Sequence, residues 1–459
     1  MLDHLAPRVL QRALDDLATD ALAPVAQRVA TDQVEPAQLT LRQIATGLFG
    51  RGAVDPGGPA DFDILPVLPR TDTKSDEDFT KIASHLESHD GPEGEVDVGH
   101  TDGQGVLGQV RLKKRHPHRY ARWVPGCGPF HEHAHSLFGW TEMFWPCFVC
   151  WCLNVIGMKL VQEITQHLGN NAYAHHLQAH IVITIAVVSF LVQDVVEPPP
   201  RVLLSRGLDV YLAYVQSAGG EVVCEYLRHA GFPNLQWQRS ARNAQPGKLK
   251  QLYAYSFHIF RSTCHKPVAA QIALVTLVSF HCTIASVQAI LCATFAISLL
   301  GRLSSCTFID RVMEFTNNEQ QSMRRSAHAA SFGRTMDVTP LLRGMMHVRH
   351  AFQATEHGTS DGDDPITDSM LVQARLLQDE LRRLLGTDLT VATNTNPFWH
   401  TGNPVAHNGD MRTHRPWEWV WRAADATSHG KGPPMGFARR AERWDVYVRR
   451  YIRNSMFPF

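Results

Sequence analysis

A chain of 459 residues can bury a sizeable core in one large domain or two to three smaller ones, and its 44% hydrophobic, 19% charged composition is globular with slightly less charge than usual. Lys and Arg together equal Asp and Glu at 44 each, so no net charge draws the chain to nucleic acid in bulk, although 25 histidines would add charge as pH falls. The nine cysteines sit mostly in apolar runs and read as reduced core residues; Cys147 and Cys150 form a C-x-x-C with no second pair at zinc spacing.

The opening segment carries acidic residues throughout and no apolar core, so it reads as neither a secretory signal nor a transit peptide, and Met1 is expected to begin the mature protein. Leu2, Leu5, Val9, Leu10, Leu14 and Leu17 recur at helical spacing and predict an amphipathic helix. The run DFDILPVLP, short and bounded by proline, predicts an edge strand or extended arm. Residues 71–104 hold ten Asp and Glu against two Lys, which predicts a solvated acidic loop around one short helix starting near Ser75. The densest basic patch follows: Arg111, Lys113, Lys114, Arg115, Arg119 and Arg122, interleaved with His116, His118, Tyr120 and Trp123. Either it pairs with the acidic loop or a neighbouring subunit, or it contacts phosphate.

From Phe130 to Arg302 the chain is strongly apolar and predicts a hydrophobic helical core. One helical run ends at Glu197-Pro198-Pro199-Pro200, where three prolines predict a rigid turn; another, Leu208 to Ala230, is expected to close at Gly231 and Pro233. Pro267 to Gly301 contains no Asp, Glu, Lys or Arg and is long enough to span a bilayer, but its Gln, Ser, Thr and His content and plain flanks favour a buried core helix over a membrane span. Further on, DPITDSMLVQARLLQDELRRLLG predicts the clearest helix. Asp364 is expected to cap it and Pro365 to open it, with a stripe of Met370, Ala374, Leu377, Leu381 and Leu384 and a stop at Gly386. Arg375 with Asp379, and Asp379 with Arg383, are expected as i,i+4 pairs. Met411 to Phe459 has ten Lys and Arg against four Asp and Glu, with Trp417, Trp419, Trp421 and Trp444. This composition suits an arm that clasps a neighbour, with Arg422 among the contacts, or one that packs on its own domain.

Three motifs carry candidate chemistry. His131-Glu132-His133-Ala134-His135 satisfies H-E-x-x-H, the zinc peptidase pattern in which two histidines one turn apart hold the metal and the glutamate acts on bound water. Here Gly128-Pro129 stands directly before it, which places His131 in a first turn, and no third ligand beyond isolated candidates such as Glu142 and Glu163 announces itself. His175, His176 and His180 include an i,i+4 pair without a carboxylate and read as core or surface histidines. No P-loop, no nucleophile elbow, no G-x-G-x-x-G after a predicted strand and no fixed-period repeat appears. The residues therefore predict a mainly α protein with a small mixed α/β N-terminal region and a large irregular helical domain, divided as 1–125, 126–310 and 311–459. Neither catalytic residue, cofactor nor metal is assigned.

The order of elements resembles a known family. The stretch IGMKLVQEITQHLGNNAYAHHLQAHIVITIAVVSFLVQDVV, the apolar block from Cys264 to Ala296, and the Met/His/Arg-rich helix followed by DPITDSMLVQARLLQDELRRLL are similar to successive parts of the inner-capsid clamp, or nodule, proteins of turreted reoviruses. The resemblance covers the last two-thirds of the chain and rests on apolar periodicity in a shared order; the first 125 residues have no counterpart. It implies a structural protein of the virion, made in the host cytoplasm, that clamps inner-shell capsid subunits of a double-stranded RNA virus. It implies weak RNA contact, which the patch from Arg111 to Arg122 could serve, and no small-molecule substrate. The alternatives are an accessory subunit of a membrane complex and the zinc peptidase.

Overall fold

In the computed structural model of the chain the described residues are 5–50, 76–87, 97–158, 170–242, 248–263, 267–282, 285, 287, 288, 291, 294–298, 306–312, 366–391, 396–398 and 415–428. The run DFDILPVLP, the residues 159–169, 364, 365 and 429–459, and with them Trp444, lie outside the described residues. The fold is mainly α.

Helix α1 (Pro7–Asp32) opens on a proline at its first position and buries Leu10, Leu14, Leu17, Leu22 and Val25. It runs well past the predicted stripe because Ala18, Ala21, Leu22 and Val25 continue the buried face. Pro24 sits inside it and has no N–H for the carbonyl of Asp20 four residues earlier. Arg239 supplies the missing donor: its Nη1 reaches Asp20 O at 2.7 Å. The same guanidinium donates to Gly47 O (2.9 Å) and Leu48 O (2.7 Å) at the end of α2 (Leu41–Phe49), whose start is fixed by Thr40, which accepts from Gln43 N. One cation thus ties the carbonyl that Pro24 leaves without a donor to the last carbonyls of α2.

The short helix predicted near Ser75 is α3 (Asp76–Glu87). Then comes the α/β unit of the expected mixed N-terminal region, whose strands the residues did not locate: β1 (Asp97–Thr101), α4 (Gly103–Arg115) and β2 (Trp123–Cys127), with the strands parallel and Thr101 level with Cys127. Phe79 and Ala83 of α3 pack with Leu112, Tyr120 and Trp123 as a satellite core.

The rest is helical: α5 (Pro129–Phe144), a π turn (Trp145–Val149), α6 (Cys150–Val155), and α7 (Asn170–Ser189) ending in a second π turn (Phe190–Asp194). Pro199 and Pro200 do not make a turn; they open α8 (Pro199–Arg206), because a proline in the first helical turn loses no hydrogen bond. The predicted helix over 208–230 is also interrupted. It divides into α9 (Leu208–Leu212), α10 (Ala218–Tyr226) and a π turn (Leu227–Gly231), and Pro233 stands in the first turn of α11 (Phe232–Arg242) instead of closing the run. The carbonyl of His229, four residues before Pro233, is taken by the Tyr255 hydroxyl at 2.5 Å.

Tyr255 belongs to α12 (Leu249–Ser262), which packs on α13 (Pro267–Cys282). Residues 272–280 of α13 are buried without a break, so this stretch of the uncharged segment is packed against α12, α4, α5 and β2. Each such Leu, Ile, Val or Phe contributes about 1.5–3 kcal/mol. Two short antiparallel strands, β3 (Ala296–Ser298) and β4 (Cys306–Phe308), follow.

The predicted C-terminal helix is α14 (Asp368–Leu385), with Met370, Ala374, Leu377 and Leu381 buried and Gly386 at φ +71° as its stop. Its cap is Thr367, which accepts from Met370 N, not Asp364. The expected i,i+4 pairs are replaced by i,i+3 pairs, Arg382 with Asp379 (3.0 Å) and Arg383 with Glu380 (2.5 Å), and Arg382 also reaches Asp194 at 2.7 Å. The Arg382 guanidinium thus bridges Asp379 through Nη1 and Asp194, on the neighbouring π turn, through Nη2. Last is α15 (Glu418–Ser428). One hydrophobic core runs from Leu5 to Ala424, so residues from all three predicted segments share it.

Candidate functional site

The chemistry-bearing motifs converge where β1 and β2 end and α5 begins, the edge of a parallel pair at which ligands commonly bind. Gly128 N donates to Thr101 O (2.9 Å) and closes the strand pair. Asp310 then lies across the start of α5: Oδ1 accepts from Phe130 N and Oδ2 from His131 N and His131 Nδ1, each at 3.0 Å. A carboxylate over the free amides of a first turn is a strong cap. It comes so close that a Cβ at Gly128 would fall 2.1 Å from Asp310 Oδ2.

This arrangement dismantles the H-E-x-x-H pattern. His131 is engaged by Asp310, and the half-buried His135 ring stands edge-on to Phe260. Glu132 is sealed in the core beside Cys127, where burial raises both groups well above their ordinary values and keeps the carboxyl neutral. The glutamate of a zinc peptidase must be ionised and reach metal-bound water, so these residues do not fit a zinc centre. Among the described residues no group of three or more His, Cys, Asp or Glu is placed to hold a metal ion.

A G-x-G-x-x-G does follow a strand. Gly103-Gln104-Gly105-Val106-Leu107-Gly108 comes directly after β1, correcting the expectation that none would. The Asp102 carboxylate occupies the helix start, accepting from Gly105 N at 2.8 Å, where a phosphate would need free amides. The glycines serve close packing: a Cβ would meet Ile272 at 103, Thr101 at 105 and Phe79 at 108, all within 2.6 Å.

Behind α5 lies a network of buried histidines. Asn234 Oδ1 faces His133 Nε2 at 2.8 Å, so that nitrogen carries the proton and Nδ1 accepts from the Tyr173 hydroxyl at 3.1 Å. The Thr141 hydroxyl donates to Leu137 O, which leaves its lone pairs for His176 Nδ1 and His180 Nε2, both at 3.0 Å. Tyr226 then donates to His180 Nδ1 at 2.8 Å. Burial lowers His133 and His180 to about 3 and His176 to about 4, so all three are neutral imidazoles; His175, one residue before, is exposed. Spacing had allowed core histidines here, but not their linkage through hydroxyls from three helices.

The basic patch is divided. Lys113 points inward, donating to Ala121 O (2.8 Å) and Trp123 O (2.6 Å), and burial lowers it to about 8. Arg119 pairs with Glu87 of α3 at 2.5 Å. Arg111 and Arg122 are half-buried, whereas Lys114 and Arg115 are exposed. In the C-terminal arm Trp417 is buried and stacked on Phe144, Trp421 meets His229 edge-on, Trp419 is exposed, and Arg422 reaches Glu418 at 3.2 Å. Cys147 is buried and pushed up to about 12, and Cys150 is a second free thiol.

Among the described residues one helix, Tyr173–Asp194, is long and apolar enough to cross a membrane, and 83% of its apolar window is buried inside the fold. Comparison with family models, with curated proteins and with solved structures finds no match.

Proposed function

We propose that the chain is a structural assembly protein and, in the finer reading implied by its resemblance, a clamp that fastens inner-shell subunits of a double-stranded RNA virus. One observation carries this: α14, anchored on its inner face, turns Val372 and Leu376 outward at 61% and 52% exposure, one turn apart among paired charges. A rigid helix with apolar side chains in water is a contact surface, and the small number of such residues suits a modest interface repeated many times. The internal engagement of His131, Glu132, Lys113 and the three buried histidines adds support, since these groups serve the fold.

The test is a Val372→Glu, Leu376→Glu double variant co-produced with the shell protein. Melting is expected to stay within about 0.5 kcal/mol of the parent, because both positions face solvent, while recovery of the variant in sedimenting particles falls sharply. Undiminished incorporation would sink the reading. Trp417 is unsuitable for such a test because it is part of the core, so Trp419 is the tryptophan to replace.

A further inference from the structure

At the outer edge of the helical body, α1 and α9 meet through carboxylates. Gln11 donates from one amide nitrogen to Asp15 at 3.1 Å and to Asp209 at 2.9 Å, so the two carboxyl groups crowd on the same nitrogen. Beneath them lies the buried guanidinium of Arg228, which contacts Asp209, stands 3.9 Å from Asp15 Oδ1 and 3.5 Å from Glu225 Oε1. Glu225 Oε2 is in turn 3.3 Å from His229 Nε2, while His229 Nδ1 is held by Tyr255 at 3.0 Å. The charged groups reaching Asp15 are thus Asp209 from α9 and Arg228 from the π turn, with Gln11 on its own helix. Glu225 and His229 stand behind Arg228, and α15 presents to His229 the uncharged Trp421.

A single guanidinium faces three carboxylates, two of them crowded on one amide nitrogen, and like charges so placed disfavour ionisation of both. A proton held by the pair relieves that excess of negative charge. We propose that this pair is a proton-gated clasp that fastens α9 to α1, shut while the proton is shared and open once it is lost to solvent. Burial, reinforced by the hydrogen bond to Asp209, raises Asp15 to about 7, whereas Asp209, despite its own burial, is held low by the proton from Asp15 and by Arg228. On losing its proton, Asp15 faces Asp209 as a second anion and turns out to water. The five residues of α9, which follow Gly207 at φ +82°, then lose their outer tether.

The test is amide hydrogen exchange across residues 208–215 of the full chain from about pH 6 to pH 8.5, corrected for the intrinsic rate. In the parent, the opening equilibrium is expected to grow by up to about tenfold per pH unit above about pH 7, the slope of one released proton. Asp15→Asn keeps a donor toward Asp209 and should give a flat profile, and so should the more exposed Asp209→Asn. A parent profile that is flat, or that the folded variants reproduce, overturns the clasp. Should neither variant fold, the parent profile alone decides.

Discussion

Two polar assemblies in this protein are built by opposite rules. The network around His133, His176 and His180 is sealed, neutral and linked through hydroxyls and an amide; the cluster of Asp15, Asp209, Arg228 and Glu225 is charged and half open to water. A neutral network is indifferent to pH until its histidines are forced to protonate, whereas an ionised cluster short of one cation responds near neutrality. Sealing a polar network buys rigidity over a wide pH range, and leaving one at the surface keeps a proton exchangeable.

The strongest way to break the sealed network is acid. His100, His133, His176, His180 and His258 are all lowered by burial, to about 3 or 4, so the unfolded chain takes up protons below its ordinary histidine value while the folded one does not. Their stabilisation is complete above about pH 6.5 and is lost as pH falls toward 4, at about 1.4 kcal/mol per pH unit for each histidine, or about 7 together. That approaches the whole stability of a domain, so steep cooperative unfolding is expected near pH 5 by circular dichroism; retained structure at pH 4 would show that the imidazoles are not sealed.

Arg228→Met attacks the other assembly. Three carboxylates then lack their cation, and a loss of about 3–5 kcal/mol in urea unfolding is expected, larger at pH 8 than at pH 6 because Asp15 is ionised at the higher value. His133→Leu should cost about 2–4 kcal/mol, through the unpaired Tyr173 hydroxyl and Asn234 carbonyl, with no change between those two pH values. The pH contrast between these two variants is the sharpest measure of the difference. The smallest effect is expected of Tyr255→Phe, about 1–3 kcal/mol, because it strips a partner from His229 O and Nδ1 and leaves the ring packing intact.

Much of the helical body was legible in the residues. The stripe of α14, the amphipathic start of α1 and the apolar run of α13 follow from periodicity, since each buries one continuous face or all of itself. The interruptions were not. Gly231 and Pro233 look like a terminus, and only Tyr255, distant in sequence, shows how the chain continues as a π turn and then α11. The strand β1 was hidden because Asp97, Gly99 and His100 are poor strand formers; pairing with β2 and burial against α4 make it one. That concealed the G-x-G-x-x-G in turn. His176 and His180 were seen as an i,i+4 pair, but histidine has the same spacing on a wet face as on a dry one. Asp15 and Asp209 were missed because nothing local distinguishes an exposed acid from one that will meet its partner 194 positions later.

The proline in α1 has a consequence for how the polypeptide comes into being. Arg239, which takes over the orphaned carbonyl of Asp20, is encoded 219 positions downstream. During synthesis the Asp20 carbonyl therefore waits for roughly half the molecule before the side chain that serves it is made. A truncated product ending short of Arg239 would leave that carbonyl, and those of Gly47 and Leu48, without this donor.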